Sequence, residues 1–259
     1  MSSASEILAR YDEEIRRHPT PVPGSVVETV GPVVRIVGKE NFVIYSALRE
    51  ENARSVVAQQ AVFFRQRAKE AEWKQFGHDP PADLDAILAA EGFVPGIPET
   101  LVVLDLRAGV PSPRDIPGVE IRRVQDAEGA RQAAEANVRA FGPESRGDSY
   151  RYAEWLRDAD QALFVATADG LPIASARLEL APGRAFAGLY GGGTAPEYRH
   201  HGIYRNLVAA RAAVAAELGY RFLTVDARET SRPILERLGF TPLTSTRPWI
   251  LPGPQPAPG

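Results

Sequence analysis

The segment Gly191-Gly192-Gly193-Thr194-Ala195-Pro196-Glu197-Tyr198-Arg199-His200-His201-Gly202-Ile203-Tyr204-Arg205 decides how the rest of the chain is read. It starts in glycines that close a strand pattern, Arg184 to Thr194, and it opens a helical pattern, Gly202 to Leu218. Strand, short turn and helix follow one another within it. The first backbone N–H groups of a helix have no partner inside that helix. Together with the helix dipole they favour an anion, by ~0.3–1 kcal/mol per charge at an exposed terminus. Gly202 lets such an anion come close to the backbone, and Arg199, Arg205, His200 and His201 add positive character. The same glycines also suit a β-bulge or bend that serves packing alone.

Outward from this segment the pattern is strands and helices in alternation. Val119 to Val124 alternates as a strand, Asp126 to Phe141 and Asp148 to Asp158 are helical, and Ala162 to Ala168 and Leu171 to Leu180 are strands. Asp169-Gly170 between the last two is a hairpin signal. Beyond the central segment come a strand from Arg221 to Asp226, a short helix from Ser231 to Leu238 stopped at Gly239, and a strand near Thr241 to Leu251. Towards the N-terminus, Glu6 to Arg17 is a helix behind a Ser5 cap, and Pro32 to Val37 and Asn41 to Ala47 are strands. Glu50 to Ala71 is a helix with Val57, Ala61, Phe64 and Ala68 on one face. Glu72 to Phe76 is a strand in which Trp73 and Phe76 read as core, Pro81 to Ala90 a helix ending at Gly92, and Thr100 to Leu106 a strand. Arg107 to Gly118 carries three prolines and two glycines and reads as a linker. The expectation is an α/β protein with a mixed central sheet flanked by helices. Its domains are 1–112 and 119–251, followed by a disordered tail at 252–259.

The two halves echo each other. Ile87-Leu88, Gly92-Phe93 and Pro95 recur 147 residues later as Ile234-Leu235, Gly239-Phe240 and Pro242. At the same offset Asp79 falls on Asp226, each after a strand, and the Asn41 to Ala47 strand falls on the one ending at Thr194. One strand–helix–strand–helix–Gly-Phe–strand order therefore occurs twice, which reads as a duplication. The first copy has Asn52-Ala53-Arg54-Ser55-Val56-Val57 where the second has its glycine loop, so it offers no cradle for a phosphate.

Composition removes several alternatives. The 259 residues are 44% hydrophobic and 24% charged, an ordinary globular balance, and no run of ~18 apolar residues spans a membrane. Without cysteine there is no disulfide, thiolate metal site or thiol nucleophile. The four histidines lack metal-binding spacing with a carboxylate, so no metal is expected. The net charge of −3 and the scatter of cations among acids give no nucleic-acid face. Three lysines against 27 arginines is a compositional habit, not a recognition patch. The N-terminus has no secretory signal pattern, and a cytoplasmic location is expected.

Arg199-x-x-Gly202-x-Tyr204, preceded by Thr194-Ala195-Pro196-Glu197-Tyr198 and followed by Leu238-Gly239-Phe240, resembles the pyrophosphate loop and following elements of GNAT superfamily N-acetyltransferases. The likeness covers Val119 to Leu251. It implies a GNAT fold with a degenerate, partial GNAT-like copy before it, and acetyl-CoA as acetyl donor. By the resemblance, backbone groups of Gly192, Gly193 and Thr194 pair with the pantetheine arm, and the thioester lies where two parallel strands splay. The pyrophosphate would sit on the amides of His200, His201, Gly202, Ile203, Tyr204 and Arg205, beside Arg199. Two positions depart from the family pattern. Tyr204 stands where the family has Gly or Ala, and Leu235 stands where many members have a tyrosine that protonates the leaving thiolate.

The implied reaction is direct attack of a neutral primary amine, on a small molecule or a peptide, upon the thioester. A lysine-like amine of pKa ~10.4 costs about 4.6 kcal/mol to deprotonate at pH 7, and an α-amine near pKa ~8 about 1.4 kcal/mol. Glu179 and Asp226 are the candidate bases, each also readable as a solvated or capping carboxylate, and Tyr190 is a candidate hydrogen-bond donor to thioester or amine. Tyr150, Tyr152 and Trp155 are candidates for an aromatic acceptor wall or for core. The rival reading is a non-catalytic acyl-CoA sensor or scaffold.

Overall fold

The computed structural model describes residues 3–21 and 23–253. In chain order its elements are α1 (Ala4–Tyr11), a π-helical turn (Asp12–Arg17), β1 (Ser25–Val30), β2 (Val33–Gly38), β3 (Phe42–Ser46), α2 (Ala53–Gln66), β4 (Ala71–Phe76), α3 (Leu84–Ala90), β5 (Val94–Pro95), β6 (Glu99–Asp105) and β7 (Val119–Arg123). Then come α4 (Ala127–Phe141), α5 (Ser149–Arg157), β8 (Gln161–Ala168), β9 (Leu171–Leu180), β10 (Phe186–Thr194), α6 (Ile203–Glu217), β11 (Phe222–Ala227), α7 (Arg232–Glu236) and β12 (Thr241–Leu251). This is the expected mixed α/β arrangement. Among the described residues no helix is long and apolar enough to cross a membrane. The tail at 254–259 lies outside the described residues.

The chain divides into two compact units, and neither is continuous in sequence. Unit 1 takes the chain up to Leu101, then 226–229 and everything from Pro242; unit 2 takes 102–225 and 230–241. The expected boundary at 112–119 is therefore displaced into β6, and the last strand belongs to unit 1. Long-range strand pairing decides this membership, and local composition carries no sign of it.

In unit 1, β1, β2 and β3 form an antiparallel meander, β3 runs parallel to β4, and β4 pairs antiparallel with β12. The strand β1 is not visible in the sequence pattern because it is an edge with Val26 and Val30 exposed. Helix α1 opens with a capping box at Ser3, not Ser5. Ser3 Oγ accepts from the Glu6 N–H, and the Glu6 carboxylate accepts from the Ser3 N–H. Helix α2 stops at Gln66, short of the expected Ala71, because Ala68 turns into the left-handed region at φ 50°. Val57, Ala61 and Phe64 are fully buried with Trp73, Leu84, Leu88 and Trp249 in this unit's core.

The β3–β4 pair is short, Phe42↔Glu72 and Val43↔Trp73. Past it, Arg16 enters from the π-helical turn. Its Nε donates to Ile44 O at 3.1 Å, its Nη2 lies 2.7 Å from both Asp79 oxygens, and its Nη1 reaches Asp12 at 2.7 Å. The Phe76 ring stacks 3.7 Å from the guanidinium carbon. A wholly buried guanidinium is tolerable only with this degree of pairing.

In unit 2, β7, β8, β9 and β10 form a continuous antiparallel path, β11 runs parallel to β10, and the later part of β6 follows β11. The β8–β9 turn is the Asp169-Gly170 hairpin of the sequence, with φ 49° and 80° at the two residues. Helix α4 starts at Asp126, whose carboxylate accepts from the Gly129 N–H at 2.6 Å. The proline-rich stretch read as a linker is a strap tied to α6. Asn206 Oδ1 accepts from the Arg114 N–H at 2.9 Å and its Nδ2 donates to Arg114 O at 2.7 Å, while Arg205 donates to Ser112 O at 2.8 Å. The 147-residue offset carries β3, α2, β4, α3 and β6 onto β10, α6, β11, α7 and β12 in turn.

Candidate functional site

The parallel pair β10–β11 holds the register Phe186↔Phe222, Ala187↔Leu223 and Gly188↔Thr224, and goes no further, while β10 continues to Thr194. From Leu189 onward the β10 edge that faced β11 has left the ladder. On the other edge β10 stays paired to β9, with a shift between Tyr190 and Gly193. This is a β-bulge, and Gly191 sits in it at φ 56°. The glycines thus do make the bend that packing alone would ask for, and they make it where the two parallel strands part.

Two left-handed residues then shape the turn. His200 adopts φ 67° and Gly202 φ 84°. A glycine meets the second demand without strain, and the first is uncommon for a histidine. Gly202 is the N-cap of α6 and has no side chain to satisfy the orphan amides, so the first bond within the helix is from the Asn206 N–H to Gly202 O at 3.0 Å. A Cβ placed on Gly202 would meet only Ile116, at 3.9 Å. The turn is therefore an open, amide-lined concavity at a helix N-terminus, with His200, His201 and Gly202 exposed.

Two of the cations predicted around it hold carbonyls of the protein. Arg199 Nε donates to Thr194 O and its Nη2 to Ala140 O, both at 3.1 Å, which fixes the strand end against α4. Arg205 is committed to the strap through Ser112 O. Neither bond uses the amides of the turn.

The bulge glycines face opposite ways. A Cβ on Gly193 would lie 2.4 Å from the Phe141 ring and 2.9 Å from Ala140 Cβ, on the α4 side. A Cβ on Gly192 would lie 3.0 Å from the Tyr204 ring and 3.3 Å from Arg211 Nη2, on the α6 side. Tyr204 is half-buried, and its hydroxyl is hydrogen-bonded to Ser231, the N-cap residue of α7, which makes no cap bond of its own. Burial raises the Tyr204 pKa, with the Arg211 charge and the Ser231 bond pulling in the opposite direction.

Arg211 is the site's most unusual residue and sequence reasoning passed over it. Its Nε donates to Leu207 O at 2.9 Å and its Nη1 to Arg177 O at 3.2 Å, with Tyr190 O at 3.5 Å. Nη2 is buried with no hydrogen-bond partner among the described residues. Loss of solvent lowers its pKa to about 10, against a small opposing effect of the Tyr204 phenol. The signal was present: Arg211 lies on the i±4 row of Leu207 and Ala215, both fully buried, so a cation stands in the apolar stripe of α6.

On the α4 and α5 side, register places Arg177 opposite Tyr190 and Glu179 opposite Gly188. The Arg177 guanidinium lies 4.5 Å from the Trp155 ring centre and 4.8 Å from that of Tyr190. Its Nη1 donates to Gln161 Oε1 at 2.6 Å and to Glu179 Oε2 at 2.9 Å. Glu179 and Tyr190 are thus brought together across one partly exposed face, with Trp155. Tyr152 is buried edge-on against Trp155 at 5.1 Å, and Tyr150 is exposed. The third candidate, Asp226, falls in unit 1. There its Oδ1 accepts from Thr246 at 2.7 Å and its Oδ2 lies 3.2 Å from Lys74 Nζ, which also meets Glu99 at 3.2 Å. Among the described residues no group of His, Asp and Glu is placed to hold a metal.

Residues 130–240, most of them in unit 2, match the acetyltransferase (GNAT) family. Solved structures share the fold over nearly the whole chain at low identity. A GCN5-related N-acetyltransferase from Kribbella flavida is 18% identical with a TM-score of 0.72, over 98% of this chain and 97% of that one. A tandem GNAT protein from the clavulanic acid biosynthesis pathway, solved without AcCoA, is 18% identical with a TM-score of 0.60, over 92% of this chain and 86% of that one. A GCN5-related N-acetyltransferase from Sphaerobacter thermophilus is 14% identical with a TM-score of 0.63, over 98% and 88%. No curated protein matches in sequence.

Proposed function

We propose that unit 2 is an acetyl-CoA-dependent N-acetyltransferase that delivers the acetyl group to a primary amine of a small molecule or a peptide. The observation that carries this reading is the parting of β10 from β11 after Gly188, directly ahead of the amide-lined turn at Gly202. The residues fit the donor. Space over Gly202 is open, the amides of Ile203, Tyr204 and Arg205 begin a helix with no side-chain cap, and the β10 edge from Gly192 to Thr194 no longer pairs with β11. Those amides would hold the pyrophosphate, and the strand edge the pantetheine arm. The donor supplies an activated acyl carbon as a thioester.

Glu179 is the proposed base. Its carboxylate is held by Arg177 and stays two-fifths exposed, so a proton taken from the amine passes on to solvent. Tyr190, on the same face, orients the amine. Asp226 is not included, because Thr246 and Lys74 engage its two oxygens. Most of the rate would come from holding the two reactants in contact.

The non-catalytic reading keeps one observation in its favour: Glu179 is ion-paired to Arg177. Calorimetric titration with acetyl-CoA tests the site, and an amine screen separates the readings. Binding that Gly202→Glu abolishes, followed by acetyl transfer to an amine, supports the enzyme. Binding without turnover over a broad screen supports the sensor. A folded wild-type protein that binds no acetyl-CoA overturns both.

A further inference from the structure

Arg211 stands at the break in the β9–β10 ladder. Between the pairs Tyr190↔Arg177 and Gly193↔Ser175, β10 has two residues, Gly191 and Gly192, against Ala176 alone on β9. An extra residue of this kind bends its strand and unpairs the ladder around it. The carbonyls at the start of the break are those of Arg177 and Tyr190, one on each strand. A single nitrogen, Arg211 Nη1, lies 3.2 Å from the first and 3.5 Å from the second. Arg211 Nε returns to its own helix at Leu207 O, 2.9 Å away. Nη2 lies 3.3 Å from the place a Cβ on Gly192 would take, so the glycine leaves room for the guanidinium beneath the bulge. The register break is thereby fastened to α6.

The surroundings do not favour a charge as such. The side chain is 1% exposed, no carboxylate pairs with it among the described residues, and loss of solvent lowers its pKa to about 10. A leucine or methionine in this apolar stripe would fill the space without that penalty. What an apolar side chain cannot do is donate to carbonyls of both strands at the bulge.

We propose that Arg211 is a positioning residue: by clamping the bulge it sets the bend that takes β10 off β11, and so presents the strand edge at Gly192, Gly193 and Thr194 to the pantetheine arm of the donor. The inference rests on the acetyltransferase reading. β10 keeps β11 as far as Gly188 and breaks register with β9 just after Tyr190, so the parting and the bend adjoin. Without the clamp nothing from α6 holds the two-against-one count of the strands. A slip of one residue sends each side chain beyond it to the other face, and reverses which backbone groups point at the open edge. The amides of the turn are left alone, because Arg211 lies eight residues, about 12 Å, along α6 from Ile203.

The test compares acetyl-CoA with ADP, which carries a diphosphate and no pantetheine arm, in wild type, Arg211→Met and Arg211→Lys. Calorimetry reads acetyl-CoA, competition reads ADP, and thermal melting checks the fold. Arg211→Met should weaken acetyl-CoA ~10–100-fold, the size of two hydrogen bonds to the strand edge, and leave ADP unchanged. Arg211→Lys keeps a cation and a donor, and should return acetyl-CoA to within ~5-fold of wild type. An equal loss for both ligands would make Arg211 a support of the helix as a whole and overturn the proposal. Unchanged affinity for acetyl-CoA overturns it, and so does a lysine variant no better than the methionine one. Should Arg211→Met not fold, Arg211→Gln takes its place under the same expectations. A wild-type protein that binds no acetyl-CoA fails at the level of the acetyltransferase reading, and the positioning role falls with it.

Discussion

Arg16 and Asp79 make a closed pair: one guanidinium nitrogen lies 2.7 Å from both carboxylate oxygens, and almost no solvent reaches either side chain. The pair sits where β3 and β4 of unit 1 part, the counterpart by the repeat of the β10–β11 gap in unit 2. One gap is thus filled from within, with Phe76 stacked beneath the guanidinium, while the other is the proposed seat of the acyl donor. Removing one member of a buried pair strands the other. Arg16→Met should destabilise unit 1 by about 3–5 kcal/mol. Denaturant unfolding of the variant measures it, and a loss under ~1 kcal/mol would mean the pair is dispensable.

The bulge glycine Gly193 should be coupled to Phe141. A methyl at position 193 meets the Phe141 ring at 2.4 Å and Ala140 Cβ at 2.9 Å. The ring is nearly half exposed and is free to swing away; the Ala140 methyl is fixed to its helix. Gly193→Ala should cost about 1–3 kcal/mol. Adding Phe141→Ala should recover part of that loss and not all of it. A double-mutant cycle reads the coupling, and simple additivity would contradict the packing described here.

Asn206 should control access to the strap. It is buried and makes a reciprocal pair of bonds with the Arg114 backbone. Asn206→Ala orphans both backbone groups, at about 1–3 kcal/mol. Trypsin should then cut after Arg107 and Arg114 faster than in wild type, well before the rest of the chain is digested. Equal cleavage rates would mean that other contacts hold the strap.

In unit 1, Glu72 offers a pH-dependent test. Burial raises its pKa, the Lys74 charge opposes this, and Asp226, Glu99 and Glu40 add to it. A carboxyl whose folded pKa lies above its unfolded value favours the folded state while protonated. That contribution is complete below the unfolded pKa and is lost as pH rises through the folded value. Glu72→Gln should therefore raise Tm at pH 7, by ~2–4 °C. The gain should disappear in acid, below the ordinary carboxylate range. An equal gain at both ends would place its cause outside ionisation.

Sequence carried local structure well and long-range structure poorly. Asp169-Gly170, Asp126 and Gly202 each announced a backbone conformation that a few neighbouring residues determine, and each is found where it was expected. The candidate loop was legible for the same reason. The roles of Arg16 and Arg211 were not read, because an arginine is taken as surface until its partners are known. Arg199 and Arg205 show the converse: charges counted toward a phosphate turn out to hold carbonyls of the protein itself. The membership of β12 in unit 1 depends on pairing with a strand some 170 positions earlier, Trp249 with Trp73, which no local window contains.

That membership has a consequence for synthesis. Strand β4 needs β12 as its antiparallel neighbour, and β12 is made last. At ~5–20 residues per second, the roughly 140 residues that separate Leu101 from Pro242 take on the order of 7–30 s to emerge. For that interval the nascent first half presents β4 with a vacant hydrogen-bonding edge, the kind of surface that recruits foreign strands. Cutting the gene after residue 112 would make that interval permanent.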